Sequence, residues 1–337
     1  MSICVADFPQ TWQKPSSGEL LAALKQLQIE PPIWNPGTSR KVILETCQNT
    51  AQSRREAAAY LSSVIKSSLA WIEDEDEKEA VWDEASRRLA ERCGRAGMGE
   101  ITRRWPLEDQ ASSPFELVIR EPPITGDSLG LKTWGSSYLL AQSLGGIAKE
   151  SLSHLLDLGG SNLSLDVLEL GSGTGLLGTA AAAIWQTNVV LTDLPVIVPN
   201  LSHNIEKNRP TIEALGGKVD SGILTWGAQD GNAGRFDTKN QFKIVLVADP
   251  LYDDDHPELL SSAIVAHLAK GKDARAIVMV PQRDLATKKL SAKFLSSMIL
   301  SGLNVLEQHA LVGQDDWDED GEDSGIECWW AVFGREQ

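Results

Sequence analysis

The sequence predicts an α/β fold: a mostly parallel sheet with a C-terminal antiparallel hairpin, preceded by an N-terminal helical region. Before residue 112 the apolar residues recur at helical spacing. After it, short β-rich runs alternate with helical stretches, which is typical of parallel strands joined by right-handed crossovers. The last two β-rich runs are separated only by an acidic loop, as in an antiparallel hairpin. We therefore divide the chain into residues 1–112 and 113–337.

Three helices are predicted in the N-terminal region. The first carries leucines between residues 20 and 27, the second runs from Thr50 to Ile72, and the third from about Glu77 to Arg92. We interpret the acidic run at residues 73–77 as a solvated turn and helix start, because acidic side chains are favourable at helix N-termini. The side chains predicted to face inward are Leu20, Leu21, Leu24, Leu27, Ala58, Leu61, Ile65, Leu69, Ile72, Val81, Ala85 and Leu89.

The second region supplies the sheet and its crossover helices. The predicted strands are Phe115–Ile119, Asp166–Leu170, Val189–Thr192, Ile244–Ala248, Ala276–Val280, Asn304–His309 and Glu327–Phe333. The predicted helices are Trp134–Ile147, Leu176–Trp185, Val196–Asn208, Pro257–Ala269 and Leu285–Ser301.

Composition narrows the functional classes. The 337 residues include 42% hydrophobic residues, which excludes a wholly disordered chain. With 31 Lys+Arg against 47 Asp+Glu, the formal charge is −16. Because basic surface supplies most of the affinity for nucleic acid phosphates, a nucleic acid partner is disfavoured.

The cysteines indicate a reducing compartment, and the apolar stretches give no indication of export or membrane insertion. Four scattered cysteines without a CxxC exclude a zinc ribbon, disfavour a disulfide scaffold and leave free, mostly buried thiols; we predict no metal site. No signal peptide is visible. The most apolar stretch, Leu176–Trp185, is too short to span a bilayer, which takes about 20 residues. We expect a monomer in the cytosol or nucleus, with no membrane association.

The most informative segment is Val167 to Gly178, where a buried strand leads into the glycine-rich turn Gly171-Ser172-Gly173-Thr174-Gly175 and then into a helix of small residues. Glycines let the backbone turn sharply and let a ligand approach closely. A helix N-terminus directs N–H donors to the same place. The segment therefore predicts a ligand-binding turn.

Two cofactors compete for this turn. Residues 173–178 fit the dinucleotide pattern GxGxxG. However, Glu169 lies two residues before the first glycine, and a carboxylate there would repel a pyrophosphate. S-adenosylmethionine carries a sulfonium and an ammonium, with which an acid is compatible. We favour S-adenosylmethionine and keep a dinucleotide, or a purely structural turn, as alternatives.

Asp193 supports nucleotide binding of either kind. It ends the next predicted strand, 20 residues after Gly173, where a carboxylate can accept both ribose hydroxyls. The alternative is a structural role, in which Asp193 is a helix cap before Pro195.

In combination, these motifs resemble the class I, seven-strand S-adenosylmethionine-dependent methyltransferases, and within them the family 16 protein-lysine methyltransferases, which include enzymes that modify elongation factors. The resemblance covers roughly residues 113–335 and implies a Rossmann-like seven-stranded sheet. The motifs are Leu131-Lys132-Thr133-Trp134-Gly135, Val167–Gly178, Thr192-Asp193-Leu194-Pro195, Asn200-Leu201 with Asn204-Ile205, Leu224-Thr225-Trp226-Gly227 and Ala248-Asp249-Pro250-Leu251-Tyr252.

The resemblance also implies roles for particular residues. Trp134 corresponds to the tryptophan over the methionine end of the cofactor, and Asp193 to the ribose acid. Trp226 corresponds to the residue beside the adenine, and Ala248 to a strand-end residue near the cofactor. The loop residues Gly171, Ser172 and Gly173 line the amino-acid portion. Asp249 and Tyr252 match the acid-x-x-aromatic motif that lines the approach of the target lysine.

The resemblance implies a protein-lysine N-methyltransferase, with translation elongation factors as the leading substrate class. A free lysine amine has a pKa of about 10.4, so presenting it neutral at pH 7 costs about 4.6 kcal/mol, which desolvation beside a sulfonium would reduce. Asp249 would favour the ammonium, so we assign it to capturing and orienting the lysine and Tyr252 to an aromatic wall.

Other functions stay open. The proline at position 250 brings the motif close to that of methyltransferases acting on planar nitrogens, so the acceptor could be a small molecule or a nucleic acid. A non-catalytic scaffold of the same fold is a third possibility. The loop at residues 315–323 carries seven acids in nine residues and is either a solvated hairpin loop or a guide for a basic protein surface.

Overall fold

The computed structural model describes residues 5–28, 55–92, 99–109, 112–123, 129–156, 166–227, 236–313 and 325–335. Two compact units divide between Ile101 and Thr102, and Pro123 clusters with the first unit. The division precedes the boundary that the sequence predicts near residue 112. Each unit is therefore described by itself.

The N-terminal unit contains three helices: α1 (Ser17–Gln26), α2 (55–66) and α3 (Glu75–Ala90). A capping box of Ser16 and Glu19 begins α1, and Asp74 caps α3 by accepting hydrogen bonds from the amides of Asp76 and Glu77. The acidic run is thus a helix start, as predicted. The predicted inward residues Leu20, Leu24, Leu27, Leu61, Leu69, Ile72, Val81 and Ala85 are buried in one apolar cluster.

The second helix is shorter than predicted, because it ends at residue 66 rather than at Ile72. The hydroxyl of Ser67 accepts a hydrogen bond from the amide of Leu69, and the carbonyl of Ser67 accepts one from the indole of Trp82. Leu69 then takes a left-handed φ of 48°. Leu69 and Ile72 are nevertheless buried. Their helical spacing in the sequence therefore predicted a helix that extends beyond its actual end at residue 66.

The second unit is built on a seven-stranded sheet of order β5-β4-β3-β6-β7-β9-β8. Strands β3 to β7 are parallel, and β9 is antiparallel to both β7 and β8, which confirms the predicted architecture and C-terminal hairpin. The strands are β3 (Asp166–Leu170), β4 (Asn188–Asp193), β5 (Lys218–Ile223), β6 (Ile244–Ala248), β7 (Arg275–Pro281), β8 (Asn304–Gly313) and β9 (Ile326–Gly334). The helices are α4 (Gly135–Glu150), α5 (Leu176–Trp185), α6 (Val198–Ala214), α7 (His256–His267) and α8 (Leu285–Leu300).

Two strand predictions need correction. Residues 115–119 form a strand, but it belongs to β2 (Ser112–Glu121), which pairs with β1 (Ile101–Asp109) in a separate two-stranded sheet. The seventh strand of the main sheet is β5, which the sequence analysis missed. Because β5 lies at the sheet edge, only Val219 in it is buried, and its polar composition hides the β pattern.

Helices cover both faces of the sheet. On one face Leu168, Leu170 and Val247 pack with α7 and α8 in a single core cluster. On the other face α5 is buried along its whole length. Because successive strand residues alternate between faces, Glu169 points to the α5 side.

Three asparagines of α6, one helical turn apart, bind the backbone of β2 to this helix. Asn208 and Asn204 each accept a hydrogen bond from a β2 amide (2.8 and 2.9 Å) and return one to the carbonyl of the same β2 residue, Val118 or Arg120. Asn200 donates to the carbonyl of Arg120. Asn204 also donates to the carbonyl of Thr174 at 3.0 Å. These side chains therefore satisfy the backbone of β2 and hold the glycine turn at the same time.

Among the described residues, no helix is long and apolar enough to cross a membrane. Cys328 is a buried free thiol, as expected. The other cysteines and the acidic loop at residues 315–323 lie outside the described residues.

Candidate functional site

The glycine turn after β3 has the backbone that its sequence predicts. Gly171, Gly173 and Gly175 have φ values of 69°, 55° and 88°, in the left-handed region that favours glycine. A Cβ on Gly173 would meet the carbonyl of Gly130 at 3.2 Å, and one on Gly175 would meet Leu201 at 2.6 Å. The turn is therefore closed to side chains both by backbone conformation and by its neighbours.

Ser172 fixes the turn to the neighbouring strand. Its amide donates to the carbonyl of Thr192, and its hydroxyl accepts from the amide of Thr192, each at 3.0 Å. Because the side chain is buried in this contact, Ser172 positions the turn, and any cofactor contact it makes would come from its backbone.

Asp193 ends β4 beside the turn. Its carboxylate accepts hydrogen bonds from the amides of Gly173 and Leu194, both at 2.7 Å. Burial raises the pKa of Asp193, and these two amides oppose that shift. The predicted ribose acid is therefore next to the turn, and its Oδ2 accepts the hydrogen bond from the Gly173 amide of the turn.

Glu169 lies beneath the turn rather than beside its open face. It is only 2% exposed, and a Cβ on Gly178 in the first turn of α5 would collide with its Oε2. Burial raises the pKa of Glu169 to about 8, with smaller opposing effects from the Ser172 hydroxyl and the Gly178 amide. Because this pKa lies above 7, the uncharged form dominates at neutral pH, which weakens the sequence argument that an ionised carboxylate here would repel a pyrophosphate and be compatible with a sulfonium. The small residue at position 178 is required by this packing.

Aromatic rings border the site on the side of β5 and β6. A Cβ on Gly171 would lie 3.2 Å from the Trp226 ring, so the turn and the predicted adenine-side tryptophan are neighbours. The His256 ring lies 5.9 Å from the Trp226 ring and 4.2 Å from the Tyr252 ring, edge to face in both cases. Tyr252 is 60% exposed. Ala248, half-buried, ends β6 directly before the acid of the motif.

Asp249 is the most constrained residue of the site. It has a φ of 55°, which is unusual for a residue with a side chain and is often found at functional positions. Its amide donates to the carbonyl of Met279. Its carboxylate accepts two hydrogen bonds from the Arg283 guanidinium, at 2.9 and 2.6 Å, and one from the Ser136 hydroxyl at 3.0 Å.

Trp134 joins this ion pair from the start of α4. The Arg283 guanidinium lies 4.9 Å from the centre of the Trp134 ring, and the ammonium of the buried Lys132 lies 4.6 Å from it. The indole N–H donates to the carbonyl of Leu129 at 3.2 Å. Two cations therefore lie against the ring of the predicted methionine-end tryptophan, and one of them, Arg283, connects it to Asp249.

Sequence reasoning missed Arg283, Ser136 and Lys132 as site residues. Arg283 follows β7 and Ser136 lies in α4, so neither is within a recognisable motif of Asp249. A general signal for Arg283 did exist, because it comes three residues after the predicted parallel strand Ala276–Val280, and ligand-site loops follow such strands in α/β sheets. Nothing in the sequence distinguishes it from other surface arginines.

The residues present fit S-adenosylmethionine. A turn without side chains, a carboxylate at the end of the next strand and a tryptophan against the turn would hold the amino-acid, ribose and adenine portions. Each of these groups is present in the described structure, and β3, β4 and β6 are neighbours whose carboxyl ends share one edge.

Comparison with known proteins agrees with this fit. The family 16 methyltransferase model, described as "Lysine methyltransferase", matches residues 113–300. Protein-lysine N-methyltransferase EFM2 of Saccharomyces cerevisiae is 32% identical over 250 residues, covering 69% of this chain and 55% of its own length. Protein-lysine N-methyltransferase rrg1 of Schizosaccharomyces pombe is 29% identical over 328 residues, covering 96% of each chain. Mouse protein-lysine methyltransferase METTL21E is 29% identical over 188 residues, covering 56% of this chain and 66% of its own length.

The chain spans about half the length of EFM2 and nearly all of rrg1. The family model covers more than half of the chain and contains the glycine turn, Asp193, Asp249 and Arg283. The protein therefore belongs to the lysine methyltransferase family, whose members use S-adenosylmethionine.

Proposed function

We propose that the protein is a protein-lysine N-methyltransferase that transfers a methyl group from S-adenosylmethionine to a lysine of a cytosolic protein. The observation that carries the proposal is the position of Asp249. It stands at the carboxyl end of β6, next to the strand that leads into the glycine turn. The names of the relatives, which are protein-lysine methyltransferases, support the same acceptor.

The proposed division of roles follows from the geometry. Gly171, Gly173, the Ser172 backbone, Asp193, Trp226, Trp134 and Ala248 would hold the cofactor. When bound, the cofactor supplies an activated methyl group with a good leaving group, so the protein has mainly to position the acceptor lone pair. Tyr252 offers an exposed aromatic wall, and Asp249 retains acceptor capacity for an N–H of the incoming amine. Glu169 would act indirectly, through the packing of the turn on α5.

We further propose that residues 1–112 help to select the protein substrate, and that the enzyme acts as a monomer in the cytosol. Translation elongation factors are the leading substrate class, because the resemblance of the motifs points to the enzymes that modify them. The strongly acidic composition is compatible with a basic protein surface as the partner.

Transfer of a labelled methyl group tests the proposal. The purified protein, labelled S-adenosylmethionine and a protein extract from cells lacking the enzyme are incubated, and the labelled band is analysed by mass spectrometry. We expect label on a lysine side chain, and its loss with D193A, which removes the proposed ribose acid. R209Q, which breaks a surface Arg–Glu pair on α6, is the matched control that retains activity. Label confined to RNA or small metabolites would favour the second candidate acceptors, and cofactor binding without transfer would favour a scaffold.

A further inference from the structure

We propose that Arg283 is a positioning residue of the methyl-transfer site, whose guanidinium neutralises Asp249 so that the pocket accepts the target lysine as a neutral amine. This inference rests on the proposed function and deepens it. It also answers a difficulty of the sequence-based hypothesis, in which an unpaired Asp249 would favour the unreactive ammonium.

The contact between Arg283 and Asp249 has the geometry of a strong ion pair. Each guanidinium Nη donates to a different carboxylate oxygen, at 2.9 and 2.6 Å. The Asp249 side chain is 8% exposed and that of Arg283 28% exposed, so solvent screens the pair only in part. The Trp134 ring beside the guanidinium further restricts where it can move. The charge of Asp249 is therefore matched by a fixed cation.

The carboxylate is not saturated by these contacts. An ionised carboxylate offers about four lone-pair sites. Two accept from Arg283 and one accepts from Ser136. The remaining site can accept an N–H from an incoming amine, which would orient its lone pair without adding a net negative charge next to it.

The other charged and titratable groups around the pair come from four segments, one of which holds Asp284, directly after Arg283 and under the electrostatic influence of its guanidinium. Lys132, before α4, places its ammonium on the Trp134 ring. Tyr252 and Asp253 follow Asp249 in its own segment, and Asp193 stands at the end of β4; the carboxylates of Asp193, Asp249 and Asp253 all act electrostatically on Tyr252. Three further carboxylates, those of Asp193, Asp253 and Asp284, thus lie near the site, and Arg283 is paired directly with Asp249.

The sign of the effect follows from electrostatics. An uncompensated carboxylate beside an amine favours the ammonium and raises the pKa of that amine. Pairing the carboxylate with a guanidinium cancels most of this effect. Loss of Arg283 should therefore raise the apparent pKa of the acceptor, so that the reaction requires a higher pH.

Two other roles for Arg283 give different results. If it only supports the fold, its removal lowers the rate by the same factor at every pH. If it blocks the site as a stand-in for the lysine, its removal raises kcat/KM at neutral pH. The pH profile separates these roles from the proposed one.

The test compares R283Q, R283K, the double variant D249N/R283Q and the control R209Q with the wild type. Initial rates are measured from pH 6.5 to 9.5, with purified translation elongation factors as acceptor and mass spectrometry to confirm lysine as the labelled residue. Cofactor affinity of each variant is measured by tryptophan fluorescence, so that S-adenosylmethionine is saturating. Circular dichroism and thermal unfolding establish that each variant is folded.

For R283Q we expect the kcat/KM profile to move to higher pH by about one unit, with at least about a tenfold loss at pH 7.5 that narrows at pH 9.5. R283K keeps the positive charge but cannot donate to both carboxylate oxygens as the guanidinium does. We expect its pH profile to stay near that of the wild type, with a lower rate at every pH. D249N/R283Q, which removes both charges, should regain the wild-type profile. A pH-independent loss, a gain of kcat/KM in R283Q, or a double variant with the R283Q profile would overturn the inference. Absence of lysine label with the wild type, both on the elongation factors and on the protein extract, would instead overturn the proposed function.

Discussion

The two sides of the site are built differently. On the cofactor side, the turn from Gly171 to Gly175 is held by contacts to the end of β4 and to Asn204 of α6, and the φ values of its glycines favour glycine. On the acceptor side, Asp249, Arg283, Trp134 and Ser136 come from three separate segments and meet through side chains. The cofactor side is thus formed by backbone conformation, and the acceptor side is formed by contacts between side chains.

This difference explains how each side tolerates change. A backbone turn depends on local conformation and close packing, so its substitutions should act on stability and on cofactor binding together. A side-chain assembly can be altered without unfolding the protein, so the Arg283 variants should act on the pH profile.

The largest expected effect is from Asn204, which ties β2 and the glycine turn to α6. N204A removes one hydrogen bond accepted from Arg120 and two donated to the carbonyls of Arg120 and Thr174, in a fully buried position. We expect a loss of about 3 kcal/mol in the free energy of unfolding, measured by urea denaturation. N200A, which removes a single 3.2 Å bond, is the matched control and should cost about 1 kcal/mol. Equal losses for the two variants would show that the additional hydrogen bonds of Asn204, with the Arg120 amide and the Thr174 carbonyl, do not stabilise the fold.

A smaller effect is expected from Gly178. In G178A the new Cβ would collide with Oε2 of Glu169 and approach Leu191 to 2.7 Å. We expect a loss of about 1–3 kcal/mol by urea denaturation. G146A is the control, because Gly146 lies in α4 with no atom within 4 Å of an added Cβ, and it should gain about 0.5–1 kcal/mol. If G178A were also stabilising, the packing of Glu169 under α5 would be wrong.

The smallest predicted effect is the pH dependence due to Glu169. Burial raises its pKa to about 8 from an ordinary 4.5, so between these values the folded state holds a proton that the unfolded state has released. Its stabilising contribution is therefore complete below pH 4.5 and is lost as pH rises towards 8. E169Q removes this dependence. The stability of the wild type relative to E169Q should fall by at least about 1 kcal/mol between pH 5.5 and 8. A difference that stays constant or grows with pH would contradict the assignment.

Several elements of the fold and the site were predictable because their signals are local. The run from Val167 to Gly178 predicted a strand, a glycine turn and a helix, and the structure has all three. Asp193 was placed at the end of β4 by spacing alone, and it lies beside Gly173. In contrast, β5 was missed because an edge strand buries few side chains, and the end of α2 was missed because Leu69 is buried outside a helix.

By itself, the sequence determined the α/β architecture, the glycine turn and the acid that faces it, because hydrophobic periodicity and the conformational freedom of glycine act over a few neighbouring residues. Only the tertiary structure decided the charge states around the site. It placed Glu169 in a buried position where its proton is retained, and it brought Arg283 onto Asp249 from the loop after the adjacent strand. The physical reason is that burial and ion pairing depend on which segments meet in space. The spacing of residues along the chain does not show which segments these are.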